Sequence, residues 1–308
     1  MNAVLTDDGV ELAVTVTGHD LDAQVAVVLL HGWCLSSEIY RHQVAGLAGQ
    51  PVRLISYDMR GHGRSGPAPQ GTTSIARVAE DLRAVIEATC ADLPVVLVGH
   101  SLGGMTIMAL AELEPALFDT RVAGVVFVNT AAGGLHRVTL GFPKRLAELV
   151  RARLSREFAR RHRAHLRRGD GKVRRRFTDA LLARAILFGP GANRDDVRLG
   201  RRLIRTAHPG VVEGFFADLM RHDRHRALRH LAQVPVRILA GDRDRLTPPS
   251  HSRRIRATLP HSRLVVFPGA GHMIPLERAE ELTTEIIALT RRVIRRTATP
   301  PANSATGR

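Results

Sequence analysis

Val98-Gly99-His100-Ser101-Leu102-Gly103-Gly104 joins two stretches of opposite character. Before it stands an apolar run, Leu93-Pro94-Val95-Val96-Leu97-Val98, with the composition of a buried strand; after it comes Met105-Thr106-Ile107-Met108-Ala109-Leu110-Ala111, a good helix former. Together they predict a strand, a sharp turn and a helix. A serine at the tip of so tight a turn needs residues without Cβ atoms two positions to either side, because strand and helix backbones approach closely there, and Gly99 and Gly103 meet that need. The Ser101 hydroxyl is then presented to solvent. The Leu102 amide falls at a helix N-terminus, where it can stabilise an oxyanion.

Outward from this turn, apolar β-branched runs alternate with helical spacing. Strands are expected at 24–30, 52–58, 122–128, 236–240 and 262–267. Between and after them, helices are expected at 36–48 with Ser37 as a cap, at 73–89 with Ile75, Val78, Leu82, Val85 and Ile86 on one face, at 250–259 and at 275–296. Residues 4–17 alternate around Asp7-Asp8-Gly9 and predict two short antiparallel strands. Alternation of this kind implies a mainly parallel sheet with right-handed crossovers.

The pattern breaks after Asn129-Thr130-Ala131-Ala132-Gly133-Gly134. Leu146, Leu149, Val150, Leu154 and Phe158 form an apolar stripe on a basic helix, and further helical pieces are expected at 177–188, 197–206 and 211–220. The net charge of +16 sits here: residues 131–230 hold 25 Arg and Lys against 9 Asp and Glu, while the remainder balances at 20 against 20. This divides the chain into a core of residues 1–132 and 231–296, a basic helical insertion at 133–230, and a Thr/Pro/Ala/Ser-rich tail at 297–308 with nothing to bury and disorder expected. No stretch is long and apolar enough to span a bilayer and the first residues lack the marks of a signal peptide, so a cytoplasmic protein is expected. Cys34 and Cys90 are expected as free thiols, Cys34 as a small buried hydrophobe with nothing nearby to activate it.

Gly99-x-Ser101-x-Gly103 resembles the nucleophile elbow of the α/β-hydrolase family. A serine hydroxyl needs an imidazole to take its proton and a carboxylate to orient that imidazole, and in this family they follow in the order Ser, Asp or Glu, His, each after a strand. Gly241-Asp242-Arg243-Asp244-Arg245-Leu246-Thr247-Pro248 is similar to the family's acid turn and places the acid at Asp244, leaving Asp242 to tie the loop or face solvent. Pro268-Gly269-Ala270-Gly271-His272-Met273 is similar to its histidine loop and singles out His272 from 15 histidines. His31-Gly32-Trp33 resembles the turn that supplies the second oxyanion donor, so the amides of Trp33 and Leu102 are the candidates for that hole. Tyr57-Asp58-Met59-Arg60-Gly61-His62-Gly63-Arg64-Ser65 resembles a structural loop, which makes Asp58, Arg60 and His62 scaffold.

The resemblance implies an α/β-hydrolase fold: a mostly parallel eight-stranded sheet with helices on both faces and an inserted helical cap. It also implies a serine hydrolase acting on a small-molecule carboxylic ester or related acyl substrate, with no metal or organic cofactor. Ser101 argues against epoxide hydrolases and haloalkane dehalogenases, whose elbow carries an aspartate. A cofactor-free haloperoxidase or perhydrolase, a lactonase, a carbon–carbon bond hydrolase and a non-catalytic ligand-binding protein share the layout. The arginine excess reads first as a solvated helical face, and second as a surface for an anionic substrate or membrane. Nucleic acid is not expected, since no recognition motif appears and aromatics are scarce.

Overall fold

Side chains along each central strand divide between two buried clusters, which is why those strands read as unbroken apolar runs. In strand β3 (Val25–Leu30), Ala26, Val28 and Leu30 pack on one face of the sheet and Val25, Val27 and Leu29 on the other. Strand β5 (Val95–His100) divides in the same way, Val95 and Leu97 against Val96 and Val98. These observations come from a computed structural model that describes residues 2–18, 22–168 and 184–298.

Eight strands form one sheet, in the order β1 (Asn2–Leu5), β2 (Glu11–Gly18), β4 (Val52–Tyr57), β3, β5, β6 (Val122–Val128), β7 (Val236–Gly241) and β8 (Arg263–Phe267). β1 and β2 are antiparallel to their neighbours and every other pairing is parallel, as expected from the alternation. All parallel strands therefore end at one rim of the sheet, the edge at which doubly wound folds place their sites.

The helices follow the sequence periodicity with local adjustments. Helix α1 (Arg41–Gly46) is preceded by a tight 3₁₀ turn, Ser37–Tyr40, so the segment expected as one helix is two short pieces. Its cap is Ser36, not Ser37: the Ser36 hydroxyl accepts the Glu38 amide, whereas the Ser37 amide is drawn to Asp58 Oδ1 at 2.7 Å. Helix α2 (Ile75–Thr89) is capped by Ser74 and buries Ile75, Val78, Leu82, Val85 and Ile86 on the sheet. Helix α3 (Leu102–Leu113) follows the Ser101 turn, and a short helix α4 (Pro115–Thr120), not anticipated from the sequence, leads into β6.

Between β6 and β7 the described chain is helical: α5 (Lys144–Arg168), a turn at 184–187, α6 (Arg194–Thr206), α7 (Pro209–Arg221) and a 3₁₀ segment, His225–Leu231. The helical piece expected at 177–188 lies outside the described residues up to 183, as does the tail from 299 onward. Helix α8 (Pro249–Thr258) connects β7 to β8. The last helix is broken at Arg278, whose backbone leaves helical geometry at φ −132° and ψ 51°, into α9 (Ile274–Glu277) and α10 (Ala279–Ala298). Among the described residues no helix is long and apolar enough to cross a membrane.

Candidate active site

Ser101 occupies the turn between β5 and α3 with φ 53° and ψ −114°, a backbone state that costs on the order of 1–3 kcal/mol for a residue with a Cβ. The surroundings enforce it. A Cβ on Gly99 would lie 2.6 Å from the backbone of Gly103 and Gly104, and one on Gly103 would lie 2.3 Å from the Leu30 carbonyl oxygen. The turn is pinned to the next strand, since the Ser101 amide donates to the Val128 carbonyl at 3.0 Å and the Thr130 hydroxyl donates to the Ser101 carbonyl at 2.7 Å.

Asp244 and His272, 28 positions apart, meet after β7 and β8. His272 Nδ1 lies 2.8 Å from Asp244 Oδ2, and both side chains are almost wholly buried. Asp244 also accepts the Leu246 amide at 2.8 Å, the Thr247 amide at 3.0 Å and the Thr247 hydroxyl at 2.7 Å. Burial alone would raise the Asp244 carboxyl, but the adjacent His272 ring and these hydrogen bonds hold it below its ordinary value, so it is an anion. An anionic acceptor at Nδ1 leaves Nε2 as the ring nitrogen free to exchange a proton. The His272 ring stands 4.8 Å from that of His100, the residue before Ser101. Ser101 Oγ itself makes no hydrogen bond among the described residues.

Leu102 is the first residue of α3, and Trp33 follows β3 at the same rim. Neither backbone amide donates a hydrogen bond among the described residues, so both donors are available for an incoming oxyanion. The Trp33 ring packs against Phe158 of α5 and Phe216 of α7, centroids 6.0 and 5.9 Å away, and these two phenylalanines are 5.2 Å from each other. An aromatic cluster built by the turn after β3 and by helices α5 and α7 therefore stands beside the candidate oxyanion donors. Cys34 next to it is buried, forms no disulfide, and its amide donates to His62 Nε2 at 3.2 Å.

The loop at Asp58 behaves as scaffold. Asp58 accepts the amides of Ser37 and Arg64, at 2.7 and 2.9 Å. The fully buried Arg60 forks onto Asp81 at 2.6 and 2.7 Å and reaches Asp8 at 2.8 Å. His62 donates from Nδ1 to the Arg60 carbonyl and accepts the Cys34 amide, a neutral tautomer that burial enforces by pulling its pKa to about 3. Asp242 ties the histidine loop, its Oδ1 accepting the Gly269 amide at 2.7 Å.

Three residues that shape this site were not singled out from the sequence. Glu277 accepts the amides of Gly271 and Met273, at 3.1 and 3.0 Å, on either side of His272, and the amide of Gly189, between β6 and β7, at 2.7 Å. Burial pushes its carboxyl up, and those three amides partly offset the shift. Asn129, in a left-handed conformation with φ 44°, donates to the carbonyls of Gly271 and His272, both at 2.9 Å, and accepts the Gly241 amide at 2.8 Å, joining the ends of β6, β7 and β8. His100 Nε2 donates to the His272 carbonyl at 2.8 Å, and burial, with the nearby His272, keeps its pKa near 3 and its ring neutral. The segment between β6 and β7 adds a direct bond, since the His272 amide donates to the Leu187 carbonyl at 2.7 Å. Among the described residues no group of three or more His, Cys, Asp or Glu side chains is placed to hold a metal ion.

Comparison with known proteins agrees with this fold. Residues 25–279 match the family model described as the alpha/beta hydrolase fold. A monoacylglycerol lipase of Mycolicibacterium smegmatis is 26% identical over 298 residues, covering 90% of this chain and 91% of that protein. A bifunctional esterase/perhydrolase of Acinetobacter calcoaceticus is 26% identical over 304 residues, covering 94% of this chain and all of that protein at 100%. Among solved structures, a thermophilic esterase from Thermogutta terrifontis superposes with a TM-score of 0.73 at 25% identity, over 95% of this chain and 98% of that one.

Proposed function

The chain belongs to the α/β-hydrolase family, and on that premise we propose that it is a serine hydrolase cleaving carboxylic esters or related acyl compounds through an acyl-enzyme. The observation that carries this reading is the 2.8 Å bond between His272 Nδ1 and the buried Asp244, made at the rim where the strained Ser101 turn presents its hydroxyl.

In this scheme Ser101 Oγ attacks the substrate carbonyl carbon while His272 Nε2 takes the hydroxyl proton, and Asp244 stabilises the imidazolium so formed. The carbonyl oxygen becomes an oxyanion held by the amides of Trp33 and Leu102. His272 returns the proton to the leaving oxygen, and water, activated by the same imidazole, releases the acid and regenerates Ser101. No metal or organic cofactor enters these steps. Trp33, Phe158 and Phe216 favour a moderately hydrophobic acyl group. Two buried cysteines outside any disulfide support a cytoplasmic setting.

Likeness to an esterase/perhydrolase favours one second reading, in which hydrogen peroxide replaces water at the acyl-enzyme and a peracid leaves. A fluorophosphonate probe should label the protein at Ser101, and Ser101→Ala should lose both labelling and hydrolysis of a nitrophenyl ester series, a loss on the order of 10⁶ in kcat. Native protein that is neither labelled nor active on esters, thioesters or lactones would point to a ligand-binding protein. Faster turnover of acetate with peroxide than of any ester would favour the perhydrolase.

A further inference from the structure

At the opposite end of the sheet from Ser101 lies a cavity of about 270 Å³ whose lining includes Arg237, His261, Arg263, Arg292 and Arg296. Arg237 and Arg263 are register partners on β7 and β8, a like-charged cross-strand pair that is destabilising by itself. The one carboxylate between them is Glu285 of α10, 3.4 Å from each guanidinium. Glu285, Arg292 and Arg296 fall on one face of α10, so the helix brings two more cations to the same cavity. Among the described residues neither Arg292 nor Arg296 has an acidic partner.

The Arg237 side chain is only 13% exposed. Burial, together with the charges of Arg263 and Arg292 and against the pull of Glu285, lowers its pKa from the ordinary arginine value. Attraction to the C-terminal end of α10 accounts for basic residues in its last turn, but it does not reach the strand pair Arg237 and Arg263. Four guanidinium groups thus line a concave site in which Glu285 pairs with two of them, leaving an excess of three positive charges among these groups. Planar guanidinium forks match phosphate oxygens in geometry and charge.

We propose that this arginine-lined cavity is a binding site for a diphosphate-bearing small molecule, separate from the acyl chemistry. A single phosphate monoester carries about −1.5 to −2 at neutral pH, so a two-phosphate group comes closer to balancing the excess. Most of the length of β7, roughly 17 Å at about 3.3 Å per residue, separates it from the Asp244 loop, so occupancy need not obstruct an ester.

The test is titration of the full chain with inorganic pyrophosphate, followed by calorimetry and thermal unfolding, with sodium chloride and sodium sulfate at matched ionic strength as controls. Pyrophosphate should bind saturably and raise Tm by several degrees, beyond either control. Arg292→Glu with Arg296→Glu, both at exposed positions, should weaken binding by more than about tenfold while leaving ligand-free Tm near that of the parent. Arg237→Gln is a second, inner variant that should also lose binding. Co-sedimentation with phosphatidylcholine vesicles containing a lipid diphosphate, lost in the double variant, would place the diphosphate on a lipid headgroup; binding of free pyrophosphate alone would place it on a soluble metabolite. Equal shifts with sulfate, or undiminished pyrophosphate binding in both variants, would overturn the proposal.

Discussion

The Glu277 carboxylate accepts the Gly189 amide at 2.7 Å while also holding the amides that flank His272, so the helical segment between β6 and β7 and the histidine loop share one anchor. Glu277→Gln replaces one of two acceptor oxygens with a donor and should loosen that anchor without emptying the space. A fall in kcat of about tenfold on a nitrophenyl ester is expected, with little change in KM. Glu277→Ala leaves three amides unpaired and should cost about 3 kcal/mol in urea denaturation. Parent-like kinetics in both variants would show that the anchor does not position His272.

Asn129 is the only side chain described above that donates to the His272 carbonyl and also accepts from the end of β7. Asn129→Asp puts a carboxylate against two carbonyl oxygens where an amide now donates. It should lower stability by about 2–3 kcal/mol and ester turnover by more than Asn129→Gly, which tolerates the positive φ and merely deletes the bonds. Chemical denaturation and steady-state kinetics on the two variants check the order.

Burial holds His62 and His100 near a pKa of about 3 and His222 near about 4, all below the ordinary histidine value. From about pH 6.5 down to those values the unfolded chain binds more protons than the folded one, so stability falls as pH falls. Between pH 7.5 and pH 5 each should cost about 2 kcal/mol. Urea midpoints across that interval report the loss. A flat profile would mean that these rings take up protons as readily in the folded chain as in the unfolded one.

Arg60 neutralises Asp81, which is only 1% exposed. Arg60→Met should destabilise by about 3–5 kcal/mol by stranding that carboxylate, and adding Asp81→Asn should restore part of the loss. Additive effects in the double-mutant cycle would contradict the pairing.

Helix α5 exposes Leu149 and Leu166, at 67% and 69%, and Arg145, Arg153, Arg156, Arg163 and Arg167 on it have no acidic partner among the described residues. If this face attracts anionic substrates, KM for a negatively charged ester should rise several-fold between about 20 and 300 mM salt while that for a neutral ester stays level. Parallel responses would leave the arginines as solvated surface.

Apolar alternation was enough to predict the parallel strands of the sheet, since a strand buried on both faces must be apolar at every position, as 25–30 and 95–98 are. Ser101, Asp244 and His272 stood out as candidates through the resemblance of three short local turns, each past the end of a strand, to those of the family. Glu277, Asn129 and His100 were not legible, for they act through bonds to backbone groups up to 172 positions away, and a backbone amide leaves no mark in a sequence. The aromatic cluster of Trp33, Phe158 and Phe216 and the arginine cavity are equally invisible along the chain, because each gathers residues from elements that only the folded sheet brings side by side. Residue type and spacing thus determined which chemistry the chain could carry. Tertiary packing decided what holds that chemistry in place and where unbalanced charge collects, since both depend on contacts with no fixed separation in sequence.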